Sequence, residues 1–381
     1  MAKDQLPAVT TIRFPFAVHV VQFHYLPDTL LMGAPWWLVS LRQSAYVGLS
    51  MFFVLSGFIL TYIYLGDKGL EPRRFWLARF ARVYPLYLLS LLLSAPFWLA
   101  AHQPISSQVG TLLTTILMIQ AWFPAAANAV NSPAWSLSVE MFFYAAFPFI
   151  TPVLFRLSTR RLIVSGVALW LAALAVPSFD LIAHPSGHVI TFIQRDNWAL
   201  FVSFNPLLHL PQFLLGVVSG ILFSRYRTSV GRRAQVVLLA ASGALIVVAM
   251  IANSFIPFAL MHNGLLAPAF CCLIFGLGLG RVWFARALGH PMLVLLGDAS
   301  YSIYLLQVPV WLILTSILAR VMHKTEAGHG NLVFVFLPLL IAIAVAVFLF
   351  VEMPVRRLVL GLFRARRRSI SPAFVAVRSA D

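Results

Sequence analysis

The chain has 381 residues, of which 61% are hydrophobic and only 10% are charged, and its mean hydropathy is +0.91. This composition excludes a soluble globular protein of this length, because a soluble surface carries far more charged residues. The only two cysteines, Cys271 and Cys272, are adjacent in an apolar segment, so they cannot link distant elements by a disulfide. The sequence therefore predicts an all-α, polytopic membrane protein.

Ten segments are long and apolar enough to cross about 30 Å of hydrocarbon as helices. In chain order they lie near residues 11–30, 44–65, 80–101, 134–155, 162–177, 207–224, 235–254, 263–281, 300–319 and 332–353. The first lacks a small-residue cleavage site, which indicates an uncleaved helix. Residues 112–122 are apolar but short, as expected for a half-helix at the outer side. No repeat or linker divides the chain, so we predict one transmembrane domain at 1–360 and a basic tail at 361–381.

The net charge of +16 indicates membrane topology, and no nucleic-acid partner is predicted. If the N-terminus is cytoplasmic, 23 of the 27 basic residues fall on the inner side, and the exceptions are Arg42, Arg195, Arg320 and Lys324. The positive-inside rule predicts this asymmetry for an even number of spans with both termini cytoplasmic. The basic tail is expected to lie on anionic lipid headgroups.

The first helix carries Arg13 and His24, eleven residues apart. Eleven steps of about 100° return to the same helix face, with a rise of about 16 Å. One long polar ligand could therefore lie along this face, with an anionic end near Arg13 and a reactive end near His24, which is a candidate general base. The alternative is a snorkelling arginine and a hydrogen-bonded interior histidine.

Glu140 is the one carboxylate in the apolar stretch "SPAWSLSVEMFFYAAFP". An ionisable group within a bilayer costs several kcal/mol unless it is paired or wet, so Glu140 is a candidate functional residue. Arg79 and Arg82 lie one helical turn apart in "RFARVYP" and suit a phosphate or pyrophosphate. The alternative for these arginines is a purely topological role.

Two further polar insertions interrupt apolar helices. "MFFVLSGFIL" contains Ser56 and Gly57, for which close helix packing is the favoured interpretation. "GDASYSIYLLQVPV" contains Tyr301 and Tyr304, which are either hydrogen-bonding groups or interfacial anchors. No phosphate-binding loop, metal-ligand spacing or nucleophile elbow is found, so no metal site is predicted.

Taken in order, these motifs resemble the acyltransferase-3 family of integral-membrane O-acyltransferases. The resemblance spans nearly the whole chain and departs at Gln307, where relatives often have histidine. The motifs that carry it are Arg13 with His24, "MFFVLSGFIL", "RFARVYP", "WSLSVE", "FLLG", "YSIYL" and "EMPVRR".

The resemblance implies transfer of an acyl group, most often acetyl, from acyl-CoA to a hydroxyl of a sugar. The acceptor would be a cell-surface polysaccharide, its lipid-linked precursor or another glycan, and the protein would lie in a bacterial inner membrane. No permanently bound cofactor is expected, and acyl-CoA would serve as a co-substrate. The oligomeric state is left open.

Under this hypothesis His24 and Glu140 are the catalytic residues, with Glu140 orienting the imidazole. Asp28, one turn beyond His24, competes for that part. Acyl-CoA would be bound by Arg13, Arg79 and Arg82, and supporting roles fall to Ser56, Trp135, Ser136, Tyr301 and Tyr304. The alternatives are the same chemistry on a small secreted molecule such as an antibiotic sugar, or a proton-coupled transporter or flippase.

Overall fold

The structure is a computed structural model that describes residues 6–64, 70–101, 104–183, 197–322 and 329–370. Several positions used above lie outside these ranges, namely Arg195, Lys324 and residues 371–381 of the predicted tail. Within the described ranges every regular element is helical. The α-helices are α1 (Pro7–Thr11), α2 (Arg13–Tyr25), α3 (Trp36–Gln43), α4 (Val47–Tyr64), α5 (Pro72–Ala101), α6 (Val109–Ile116), α7 (Trp135–Arg156), α8 (Thr159–Ala183), α9 (Asn197–Phe204), α10 (Pro206–Tyr226), α11 (Arg232–Ile251), α12 (Phe258–His262), α13 (Ala267–Leu279), α14 (Trp283–Ala287), α15 (Pro291–Met322), α16 (Val333–Val347) and α17 (Met353–Ile370).

Nine helical segments among the described residues are long and apolar enough to cross a membrane, which confirms the predicted all-α membrane architecture. They overlap the last nine predicted segments in order. Their bounds are Trp36–Tyr64, Pro72–Ala101, Ser132–Arg156, Thr159–Ala183, Asn197–Tyr226, Arg232–Phe255, Phe258–Leu279, Pro291–Val321 and Val333–Gly361. The predicted tail at 361–381 begins inside α17, which continues to Ile370.

The first predicted helix is interrupted, and it is not among the nine. Helix α1 ends at Thr11 and α2 begins at Arg13, with Ile12 between them. Pro15 has no backbone N–H to donate to the carbonyl four residues earlier, that of Thr11, so the helical hydrogen-bond ladder is broken at this point. The hydroxyl of Thr11 instead donates to the carbonyl of Leu288, at 2.6 Å, which ties α1 to the segment before α15.

Helices α4 and α10 form the closest helix pair of the interior. A Cβ atom placed on Gly57 would lie 2.0 Å from the carbonyl oxygen of Phe213, and one on Gly216 would lie 2.0 Å from that of Val54. Only glycine permits the two backbones to approach this closely, as in small-residue packing of membrane helices. The predicted packing role of Gly57 is confirmed.

Short helical pieces precede α7 and shape the region around its first turn. The predicted half-helix near 112–122 occurs as α6 and a 3₁₀ turn at Gln120–Trp122. Tyr87 of α5 fixes α6 by donating to the carbonyl of Thr115 at 2.6 Å. The remaining 3₁₀ turns are Asp28–Leu31, Ser44–Tyr46, Ile105–Gln108, Pro124–Ala126, Ser132–Ala134, Ala252–Phe255 and His329–Leu332.

A π-helical turn, Phe348–Glu352, joins α16 to α17. Pro354 cannot donate to the carbonyl of Phe350, and the amide of Met353 bonds to the carbonyl of Phe348, five residues back. Such turns are rare and occur often at functional sites. Here the turn places Glu352 in the interior, where only 5% of it is exposed.

Candidate active site

Helix α2 carries the two residues that the spacing argument paired. It runs without interruption from Arg13 to Tyr25, so Arg13 and His24 lie on one helix, as predicted. Each lines a cavity, and the two cavities are neighbours because Leu49 and Tyr304 line both. We call them the arginine cavity, at Arg13, and the histidine cavity, at His24.

The arginine cavity has a volume of about 60 Å³. Three helices contribute polar side chains to it: Arg13 from α2, Ser136 and Glu140 from α7, and Ser300 and Tyr301 from α15. The structure thus brings together residues that the sequence places almost 300 positions apart. The rest of its lining is Leu49, Phe52, Phe53, Leu137 and Tyr304.

Glu140 is held by two hydroxyl groups. Its Oε1 accepts hydrogen bonds from Ser56 at 2.8 Å and from Tyr144 at 2.5 Å. Ser56, for which packing was predicted, is therefore a hydrogen-bond partner of the candidate acid. The predicted contact between Glu140 and His24 is not formed, since Glu140 faces the arginine cavity and His24 the histidine cavity.

Asp28 does not orient His24 either. Its carboxylate forms an ion pair with Arg42 at an exposed position, and Arg42 also donates to the carbonyl of Leu26. The pair ties the end of α2 to α3. The reason for the difference is local: the helix ends at Tyr25, and Pro27 turns the chain so that Asp28 is no longer one helical turn above His24.

Charged residues from several helices lie near the arginine cavity. Arg13 is within electrostatic range of Arg82, Glu140 and Asp298, and Glu352 is within range of Arg82 and Arg13. Asp298, Glu352 and Arg356 were not predicted as site residues. Asp298 sits in "GDAS" and could have been noticed as a carboxylate inside an apolar segment, the signal that singled out Glu140.

The arginines of this cluster have carboxylates within electrostatic range but form no close ion pair with them. Among the described residues the one ion pair within 4.0 Å is Arg42–Asp28, far from the cluster. Arg79 donates to the hydroxyl of Tyr64 at 3.2 Å, and the buried Nε atoms of Arg13 and Arg79 have no hydrogen-bond partner in the same ranges. Charges inside a membrane domain are normally paired, so this arrangement is suited to an anionic ligand.

The histidine cavity is lined largely by aromatic and polar side chains. His24 is exposed to it, and Tyr46, Trp135, Asn128 and Ser132 contribute from other segments. Flat aromatic rings beside amide and hydroxyl groups suit a molecule with both apolar faces and hydroxyls. The remaining lining is Val20, Phe23, Leu49, Pro133 and Tyr304.

Trp135 packs against two buried histidines that were not predicted from the sequence as site residues. Nε2 atoms of His209 and His262 lie 2.8 and 2.9 Å from the carbonyl oxygen of Ser203. The Trp135 ring packs against both, with centroid distances of 5.5 and 5.8 Å. These histidines position the tryptophan and lie outside both cavities.

The two predicted tyrosines are both interior hydrogen-bonding groups. Tyr301 lines the arginine cavity and donates to the carbonyl of Val83 at 2.8 Å. Tyr304 donates to the carbonyl of Pro133 at 2.9 Å and lies 2.9 Å from the hydroxyl of Ser136. Gln307, at the position where the family resemblance departs, donates from Nε2 to the carbonyl of Tyr304 at 2.8 Å.

Sequence comparison shows which known proteins the chain is similar to. A family model described as an acyltransferase domain matches residues 7–352. Acyltransferase MdmB of Streptomyces mycarofaciens is 29% identical over 79% of this chain and 78% of its own length. The exopolysaccharide production protein ExoZ of Rhizobium meliloti is 28% identical over 68% of this chain and 74% of its own length. O-acetyltransferase OatA of Staphylococcus aureus is 22% identical over 80% of this chain but only 50% of its own length. No solved structure matches the chain.

These matches define the class of protein. A bundle of apolar helices with a polar, arginine-rich interior site is an integral membrane enzyme, and the family match makes it an O-acyltransferase. The chain belongs to the acyltransferase-3 family, with a role in membrane O-acetylation.

Proposed function

We propose that the protein transfers an acetyl group from acetyl-CoA to a hydroxyl of a sugar in a cell-surface polysaccharide, its lipid-linked precursor or another glycan. It would act in a bacterial inner membrane, with acyl-CoA as co-substrate and no permanently bound cofactor. The observation that carries the proposal is the group of arginines at the arginine cavity, Arg13, Arg79 and Arg82, which form no ion pair within 4.0 Å among the described residues. CoA supplies phosphate groups, which arginine binds through rigid, two-pronged hydrogen bonds.

In this proposal the donor spans the two cavities. Its phosphates lie at Arg13, Arg79 and Arg82, and its flexible thiol-bearing arm extends along α2 towards His24. The rise of about 16 Å between Arg13 and His24 along the helix suits a long, thin donor. Glu140 faces the same cavity as Arg13, and its charge offsets part of the arginine charge when no anion is bound.

The acceptor is placed in the histidine cavity. His24 removes the proton of the acceptor hydroxyl as its oxygen attacks the thioester carbon, or it carries the acyl group transiently. The names of relatives support a glycan acceptor: one is an exopolysaccharide production protein and another, from Listeria monocytogenes, is a peptidoglycan O-acetyltransferase.

The test combines labelled donor with analysis of the product. Membranes from the source strain, which hold the native acceptor, are incubated with radiolabelled acetyl-CoA, alongside membranes of a deletion strain and of the complemented strain. We expect base-labile label in glycan only where the chain is present, and cell-surface glycans that lose one acetyl group per modified unit on deletion. Label in a small secreted molecule would show that this molecule, and not a glycan, is the acceptor. An absence of chain-dependent label would contradict acetyl transfer and favour a transporter.

A further inference from the structure

The boundary between the two cavities contains one polar side chain that lines both. Of the two shared residues, Leu49 is apolar, and Tyr304 presents a phenolic hydroxyl. If the proposed function holds, an acyl donor held at the arginines meets an acceptor activated by His24 at this boundary. The thioester carbonyl must then lie within reach of Tyr304.

The hydroxyl of Tyr304 belongs to a compact group of three oxygen atoms. It lies 2.9 Å from the carbonyl oxygen of Pro133 and 2.9 Å from the hydroxyl of Ser136. The Ser136 hydroxyl is itself 3.1 Å from the same Pro133 carbonyl. Ser136 lines the arginine cavity and Pro133 the histidine cavity, so the group crosses the boundary.

Counting protons shows that one of these donors can be released. A hydroxyl donates one hydrogen and a carbonyl donates none, so two protons are shared among three close oxygen pairs. When Ser136 donates to Pro133, that carbonyl stays satisfied and the Tyr304 proton is free for another acceptor. The exchange leaves no buried polar group unpaired. It therefore avoids the free-energy cost of leaving a buried donor or acceptor without a partner.

We propose that Tyr304 is a catalytic residue that donates a hydrogen bond to the thioester oxygen in the transition state. Ser136 is then a positioning residue that replaces Tyr304 as the hydrogen-bond donor to the Pro133 carbonyl. In the first step the acceptor hydroxyl gives its proton to His24, its oxygen bonds to the carbonyl carbon, and the carbonyl π electrons move to oxygen. That oxygen, now negative, accepts the hydrogen bond from Tyr304. In the second step an electron pair of the negative oxygen re-forms the carbonyl double bond, the carbon–sulfur bond breaks with its electron pair going to sulfur, and the sulfur takes the proton from His24. The products are the acetyl ester and free CoA thiol.

This proposal rests on the proposed function and makes its own prediction for Tyr304→Phe. The variant keeps the ring and loses only the hydroxyl, and Ser136 still serves Pro133, so we expect thermal stability close to wild type. Removing one donor to a developing oxyanion lowers kcat by about 10²–10³-fold. The KM for acetyl-CoA should stay within about twofold, because the lost interaction forms only in the transition state.

Ser136→Ala is the second variant, and it tests the proposal even if Tyr304→Phe fails to fold. Without Ser136, the Pro133 carbonyl depends on Tyr304, whose proton is no longer released, so kcat should also fall. The double variant Tyr304→Phe with Ser136→Ala should be no slower than Tyr304→Phe alone, because both changes remove the same hydrogen bond. Two independent structural defects would instead multiply.

The matched control is Tyr87→Phe. Tyr87 is also buried and donates to the Thr115 carbonyl at 2.6 Å, but it lines neither cavity. Per folded molecule, the Tyr87→Phe protein should transfer acetyl from radiolabelled acetyl-CoA to the native acceptor in membranes at close to the wild-type rate. A kcat for Tyr304→Phe or for Ser136→Ala equal to that of this control would overturn the assignment while leaving the proposed function standing. Inactive wild-type protein would overturn both.

Discussion

His24 differs from the other interior histidines in its surroundings. His19 lies 2.9 Å through Nε2 from the carbonyl of Leu41, and His209 is buried against Ser203, whereas His24 is exposed to a cavity. Since general base catalysis contributes about 10²–10⁴-fold, His24→Ala should lower acetyl transfer by that factor. His19→Ala, on the same helix, is the control and should transfer at nearly the wild-type rate once corrected for folded protein. Wild-type transfer by His24→Ala would remove the histidine from the mechanism.

Four arginines near the start of α5 allow an acyl-CoA-binding role to be distinguished from a topological role. Arg79 is buried and Arg82 half-buried beside the site, whereas Arg73 and Arg74 are exposed. Charge-assisted hydrogen bonds contribute about 1.5–3 kcal/mol each, so Arg79→Ala with Arg82→Ala should raise the KM for acetyl-CoA at least about tenfold. Arg73→Ala with Arg74→Ala removes the same charge from the same helix and should leave KM unchanged. Equal KM values for the two double variants would show that Arg79 and Arg82 do not bind acetyl-CoA and would favour a topological role.

The sequence predicted which residues of the site are unusual better than it predicted which of them meet. Arg13 and His24 share one helix, so their common face followed from helical periodicity. The partners of Glu140 did not follow, because Ser56 is 84 positions away on another helix and periodicity carries no information between helices. Asp28 was assigned to His24 as if the helix continued, and its actual partner, Arg42, lies beyond a turn.

At the scale of helices, the contact between α4 and α10 tolerates no side chain at its closest points. Gly216→Ala would place a methyl group 2.0 Å from the Val54 carbonyl oxygen, so the two helices must separate. Overpacking of this kind costs about 1–3 kcal/mol or more. We expect a lower thermal unfolding midpoint in detergent, measured by loss of the monodisperse peak on size-exclusion chromatography.

Gly243 of α11 provides the matched control for this prediction. A Cβ atom at Gly243 meets nothing within 4 Å, so Gly243→Ala should leave the midpoint unchanged or raise it, since alanine favours a helix by about 0.5–1 kcal/mol over glycine. If both variants unfold at the wild-type temperature, the close approach of α4 and α10 is not a determinant of stability.

Helix boundaries were predictable where hydropathy changes and unpredictable where proline acts. Pro15 coincides with the break at Ile12, but Pro85 and Pro96 lie inside the unbroken α5. Neighbouring helices in a membrane bundle can satisfy the backbone groups that proline frees, so the same residue has different effects in different surroundings. The sequence therefore located the first apolar segment but could not locate its interruption.

At the scale of the whole molecule, several basic helix ends are joined by hydrogen bonds. Arg225, at the end of α10, donates to the carbonyl of Phe155 in the last turn of α7 and to that of Leu157 just after α7, each at 2.8 Å. Arg281, after α13, donates to the carbonyl of Arg227 at 2.8 Å, between α10 and α11. Three loops that the positive-inside argument assigned to one side therefore lie together, while the Asp28–Arg42 pair joins a different set of helix ends.

This grouping makes the predicted topology testable from both sides. In a variant with Cys271→Ala and Cys272→Ala, single cysteines are placed at Met32 or at Ser229, both exposed in turns. Because basic loops are retained in the cytoplasm, a membrane-impermeant maleimide should label Met32→Cys in intact cells and Ser229→Cys only after permeabilisation. A reporter fused after Arg368 should read as cytoplasmic, as required when the interrupted first helix crosses together with the nine other spans. The opposite labelling pattern would show that the orientation in the membrane is the reverse of the predicted one. The arginine cavity would then lie on the side away from cytoplasmic acetyl-CoA.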